Sequence, residues 1–185
     1  MDATFRYWQG RILLLVGRRE PAVQALREAL RLSPQMARAA SLLGFALHSL
    51  GREEEAVEAF HKALALDPDD AIAHFDLGFI LHGRNQRAAA IESFAKAVAL
   101  RPKLDRAWFG MGLAHAELGD HAKAAEALER AADLQPMNQH AWYALGMAYS
   151  ALGDRQRLDV TIAHLDRFDP KAALRLARDS GRDPG

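Results

Sequence analysis

Eight histidines are the side chains of this chain best suited to hold a metal, and no cysteine accompanies them. Their spacing does not build a site. There is no HExxH run and no His-x3-His pair, the arrangements that put two imidazoles on one helical face for zinc. His48 and His82 stand 34 residues apart, at equivalent positions of neighbouring units, and their rings are expected to lie too far apart in space to share an ion. Gly110-Met111-Gly112 lacks the third glycine and the preceding strand that a dinucleotide-binding loop needs. Glu53, Glu54 and Glu55 suit the start of a helix, where the macrodipole favours acids, and not a catalytic carboxylate pair. No Ser-His-Asp set can be assembled. The expectation is a protein without catalytic residues, metal or cofactor. What remains is recognition. Phe75, Phe79 and His82 lie at i, i+4 and i+7, so they share one face of a helix.

The elements that position these side chains repeat. Pro34, Pro68, Pro102, Pro136 and Pro170 follow one another at intervals of 34 residues, and Gly10, Gly44, Gly78, Gly112 and Gly146 keep the same step. A period of this size is the mark of a stacked array. In the unit 71–104, Leu77, Gly78 and Leu81 make one helical stripe, and Ala90, Phe94, Ala97 and Val98 make a second. Gly83-Arg84-Asn85 breaks the two. Neighbouring units carry Gly51, Gly119 and Gly153 where this one has Asn85, and Gly and Asn tolerate a left-handed backbone after a helix. Asp67-Pro68-Asp69-Asp70 stops one unit and starts the next.

Small residues recur for a packing reason. Gly44 and Ala56 are expected to face each other across their hairpin, so Gly44→Leu should cost at least ~1–3 kcal/mol by overpacking. Ala22, Ala90 and Ala124 repeat the small partner. Leu26, Phe60, Phe94 and Leu128 supply bulk one turn later. No hairpin buries its stripe alone, so each leans on the next.

Composition narrows the function. Half of the 185 residues are hydrophobic, and 24 basic residues balance 24 acidic ones. A neutral chain lacks the footprint expected for nucleic acid and the polybasic segment of a binder of anionic membranes. Without cysteine there are no disulfides or thiolate sites. The apolar run from Ile12 to Val16 is too short for a signal core or a membrane span, and the expected location is cytoplasmic. Charge is uneven: residues 1–38 hold seven arginines against three acids, and residues 37–70 hold three basic residues against seven acids. A basic tip meeting an acidic flank of another copy is one reading of that bias. Solvated faces are the other.

The unit resembles the tetratricopeptide repeat (TPR), a helix–turn–helix of the same length with a Trp, Leu-Gly, Tyr, Ala, Phe, Ala, Pro skeleton. Trp142, Leu145, Gly146 and Tyr149 carry it in the last unit, and Leu43, Gly44, Ala56, Phe60, Ala63 and Pro68 in the second. The resemblance covers about Ala3 to Ala172 and implies an all-α, right-handed solenoid of five tandem repeats in a single domain, 1–185. The repeats span about 3–36, 37–70, 71–104, 105–138 and 139–172. A short amphipathic capping helix follows at 171–179, with Ala172, Leu174, Leu176 and Ala177 inward. The tail 180–185 is expected to be disordered. The end repeats depart from the skeleton. Arg6 occupies the Trp position, Trp8 comes two residues later, and Gln9 replaces the Leu before Gly10. In the last repeat, Leu158, Ile162 and Leu165 replace Ala, Phe and Ala.

Similar repeats line a concave groove with their first helices. The resemblance implies three columns there. They are Tyr7, Ser41, Phe75, Phe109, Tyr143; then Arg11, Phe45, Phe79, Leu113, Met147; then Leu14, His48, His82, Ala116, Ser150. The second column is often polar in the family and is mostly apolar here. Exposed apolar stripes mark interaction sites and suit an amphipathic helix or an apolar peptide. The alternative is that these side chains pack on one another. His48 and His82 could add pH sensitivity, and Arg38 and Arg106 could orient a ligand at the rim. The family's clamp for a C-terminal carboxylate is not expected: its positions read Tyr7, Arg11, Leu42, Arg106 and Gly110, and its Asn is absent. The expected function is a protein–protein interaction scaffold. Two alternatives stay open, a chaperone-like carrier of an apolar client segment and a self-assembling module, and with the latter the question of homo-oligomers.

Overall fold

A computed structural model describes residues 2–182. Among them are eleven α-helices and no strand. Two compact units form, Met1–Arg84 and Asn85–Gly185. The first holds α1 (Ala3–Leu15), α2 (Arg19–Leu32), α3 (Ala37–His48), α4 (Glu53–Leu66) and α5 (Ala71–Gly83). The second holds α6 (Arg87–Leu100), α7 (Asp105–Glu117), α8 (His121–Leu134), α9 (Gln139–Leu152), α10 (Arg155–Asp166) and α11 (Pro170–Asp179).

Local chemistry sets the boundaries. Asp70 caps α5 by accepting from the amides of Ile72 and Ala73 at 3.0 and 3.1 Å, and Asp169 caps α11 through Ala172. Side-chain oxygens at these positions satisfy amides that a helix start leaves free. Asn85 takes φ +64°, the left-handed turn residue its position requires. Pro34, Pro68, Pro102 and Pro136 lie in the links between hairpins, whereas Pro170 opens α11, a position that needs no amide hydrogen.

Within each unit the hairpins close on small residues. A Cβ placed on Gly44 would stand 2.8 Å from the Phe60 ring, and one on Gly112 2.6 Å from Leu128 Cγ. Ala22, Ala56, Ala90 and Ala124 are fully buried, as are Leu26, Phe60, Phe94 and Leu128. Three equivalent hydrogen bonds tie the links at Pro68, Pro102 and Pro136 to the helices that follow them. His74 Nε2 meets the Pro68 carbonyl, Trp108 Nε1 donates to that of Pro102, and Trp142 Nε1 to that of Pro136, all at 2.9 Å.

The C-terminal end differs from the sequence expectation in three ways. Leu174 is exposed and Ala173 is buried instead. Leu176 of α11, not Ile162 of α10, supplies the bulk over Gly146. Leu158 explains this: it replaces the buried alanine that elsewhere lets the second helix close on the glycine. Finally, residues 180–182 are tied down. Ser180 Oγ donates to the Leu176 carbonyl at 2.7 Å, and Arg182 Nε to Asp159 at 2.9 Å. The rest of the expected tail, 183–185, lies outside the described residues.

Candidate functional site

In the first unit, α3 packs beside α5, and Phe45 and Phe79 hold the same register on these two helices. Both are about half open to solvent, 48% and 54% exposed. Phe75 is only 8% exposed. Its ring lies 6.4 Å from that of Phe79, so it backs Phe79 and offers little surface of its own. His48 meets Phe79 edge-on, with centroids 5.7 Å apart at 83°. His48 Nδ1 is buried and has no hydrogen-bond partner among the described residues. A buried polar atom left unpaired costs ~1–3 kcal/mol. His82 is half-buried and Arg38 is exposed.

The first column is anchored through Asp70. While one of its oxygens caps α5, the other accepts from Ser41 Oγ of α3 at 3.0 Å. That bond sets the relative position of the helices that carry Phe45 and Phe79. The acidic run of α4 is engaged as well. Glu55 pairs with Arg52 at 2.6 Å and with Arg27 at 2.5 Å, and Glu54 with Arg84 at 3.0 Å. The Arg52 guanidinium beside Glu55 holds its carboxyl below the usual carboxylate range.

The second unit treats the same columns differently. Phe109, Leu113, Tyr143 and Met147 are all half-buried, and Arg106 is exposed. Phe109, Tyr143 and Met147 pack against the core formed by α8, α9, α10 and α11. The Tyr143 hydroxyl donates to Asp179 of α11, and the Arg175 guanidinium lies 4.7 Å over its ring. The hydrogen bond to Asp179 pushes the Tyr143 phenol up from its ordinary value. Arg175 and Asp179 are site residues that sequence reasoning missed, because the phase of α11 decides which of its polar groups reach α9. Among the described residues no three His, Cys, Asp or Glu side chains converge on a metal position. No described helix is long and apolar enough to cross a membrane.

Helical hairpins of one length, each leaning on the next, define an all-α solenoid. Tetratricopeptide-repeat profiles match residues 3–36, 71–104, 105–138 and 139–157, and a TPR-repeat profile matches residues 46–85. The chain belongs to the tetratricopeptide-repeat family, whose arrays are protein-interaction modules. No curated protein matches it in sequence. Solved structures do. A MamA crystal structure aligns over 99% of this chain and 96% of its own at 24% identity, TM-score 0.80. MamA from Desulfovibrio magneticus RS-1 aligns over 96% of each chain at 26% identity, TM-score 0.80. YrrB, described as a TPR protein with an unusual peptide-binding site, aligns over 96% of this chain and 92% of its own at 23% identity, TM-score 0.85.

Proposed function

We infer that this scaffold binds an apolar or amphipathic helical segment of another protein on the Phe45–Phe79 surface of its first unit. The observation that carries the reading is the half exposure of those two rings at equivalent positions on adjacent helices. Side chains of that size are normally withdrawn from water. Here Phe79 is held in place from behind by Phe75 and from the side by His48, so its open face is presented at little cost in side-chain freedom on binding. A ligand with apolar anchors at i, i+3 or i+4 and i+7 matches such a surface. The description of YrrB as a peptide-binding TPR protein supports the class of ligand. Arg38 offers a cation on the same helix as Phe45 for an acidic residue of the ligand. In the second unit Tyr143 is already engaged by α11, so Tyr143 and Met147 contribute less in this reading.

The test is a titration of fluorescent amphipathic helical peptides followed by anisotropy. Wild type should bind members with an apolar stripe and ignore scrambled versions that lack one. Phe79→Asp should weaken that binding at least tenfold. Equal binding by wild type and Phe79→Asp would remove the first-unit surface as the site.

A further inference from the structure

The charges of the first unit are sorted by helix. Its first helices, α1, α3 and α5, carry Arg6, Arg11 and Arg38 and a single acid, Asp76. Its second helices, α2 and α4, carry six glutamates. The carboxylates on and beside the first helices are in use. Asp2 caps α1 by accepting from the Phe5 amide at 2.7 Å, Asp70 caps α5 and holds Ser41, and Asp76 has a partner as well. Elsewhere in the unit Arg27 and Arg52 meet Glu55, Arg31 meets Glu28 and Arg84 meets Glu54. Arg6 donates to Gln9 at 2.9 Å. Arg11 and Arg38 are exposed, and among the described residues neither meets a carboxylate.

These two arginines frame the apolar surface. Arg11 stands 34 residues before Phe45, as Phe45 does before Phe79, so the three hold one register on α1, α3 and α5. Helix α3 touches both of its neighbours in that series. The Arg11 guanidinium lies 4.8 Å over the Trp8 ring. Stacking occupies its face and leaves its N–H edge for an oxygen acceptor. Arg38 precedes Phe45 by two turns of α3, about 10 Å along that helix. We propose that the segment bound on the Phe45–Phe79 surface is an acidic amphipathic helix whose side-chain carboxylates pair with Arg11 and Arg38. This rests on the reading of that surface as the binding site. Packed helices stand ~8–10 Å apart, and a helix rises ~10.5 Å in seven residues. A ligand helix laid across α5, α3 and α1 therefore seats apolar residues at i and i+7 on Phe79 and Phe45, and a Glu or Asp at i+14 meets Arg11. A carboxylate on the flank toward the start of α3 meets Arg38. The same two cations repel a basic segment, so they select among apolar ligands by charge.

Anisotropy titrations of the full chain test this with three labelled helical peptides. They share the apolar residues and carry Glu, Gln or Lys at the i+14 and flank positions. All are amidated, so no terminal carboxylate contributes. The Glu peptide should bind at least about fivefold more tightly than the Gln peptide, and the Lys peptide at least about fivefold more weakly. Raising salt from ~0.05 to ~0.5 M should draw the three together. Arg11→Glu with Arg38→Glu should reverse the order. Arg11→Gln with Arg38→Gln should flatten it, and serves if the reversal variant loses its helical signal. Equal binding of the three peptides by wild type, with the Gln peptide lost in Phe79→Asp, overturns the acidic preference and leaves the surface as the site. Preference for the Lys peptide, or an order unchanged in the arginine variants, overturns it too. Failure of all three peptides to bind removes the surface as the site and this proposal with it.

Discussion

Leu176 of α11 seats over Gly146 of α9, where the hairpins α1–α2, α3–α4 and α7–α8 use their own second helix: Leu26 over Gly10, Phe60 over Gly44 and Leu128 over Gly112. The C-terminal helix thus completes the last hairpin from outside it. Leu176 is fully buried, and truncating a buried leucine costs ~2–5 kcal/mol. Leu176→Ala should therefore lower the unfolding free energy by that amount. It should also free Tyr143 from Asp179, which near-ultraviolet circular dichroism would register. Leu174→Ala, on the exposed side of the same helix, should change stability by no more than ~0.5 kcal/mol.

The Trp142 indole ties α9 to the link before it through the Pro136 carbonyl. His164 stacks on the same ring with centroids 4.0 Å apart, and Phe168 meets His164 edge-on. Trp142→Phe keeps an aromatic body and deletes the donor. The expected loss is ~0.5–1.5 kcal/mol, that of one hydrogen bond, read from chemical denaturation. Trp142→Ala should cost more, since the stack with His164 goes too.

These contacts show what was legible in advance. The hairpin period, the left-handed residue at Asn85 and the glycine–bulk contacts at Gly44 and Gly112 follow from residues that recur, so register alone exposes them. The end effects do not recur. That Leu176 takes the role expected of Ile162 depends on Leu158 holding α10 off, which is a consequence of volume and not of pattern. That Tyr143 is engaged by Arg175 and Asp179 depends on the phase of a ten-residue helix, where an error of one position exchanges Ala173 for Leu174. Register sets Phe75 and Phe79 on one face of α5, yet one ring is buried and the other half open. Period identifies the face of a helix, while neighbours decide how far each ring on it stands from water.

Stability should fall between pH 7 and pH 5 in part through His115. Burial holds its imidazole below the usual range, while Asp120, 3.7 Å away, pulls the other way and Lys123 adds to the lowering. A group whose folded value is depressed adds stability above its unfolded value near 6.5 and loses it as pH drops through that region. Carboxylates held low by arginine or lysine partners, such as Glu55 and Asp120, titrate further down and leave this window clear. Thermal melts at pH 7 and pH 5 should show a smaller drop for His115→Gln than for wild type. An equal drop would remove His115 as a source of the pH dependence.

The sharpest contrast is between two phenylalanines one helical turn apart. Phe79 is half exposed, so Phe79→Asp places a carboxylate where water still reaches it, and the expected cost is within ~1 kcal/mol. Phe75 is buried, so Phe75→Asp puts a charge in an apolar setting without a partner and also opens a cavity, two penalties that together should exceed ~4 kcal/mol. Denaturant midpoints for the two variants test this directly. A cooperative, near-native Phe79→Asp beside a largely unfolded Phe75→Asp means the Phe79 ring is there for something other than folding. Comparable losses would mean that both rings belong to the core, and the apolar surface on α3 and α5 would then be packing and not a place for a ligand.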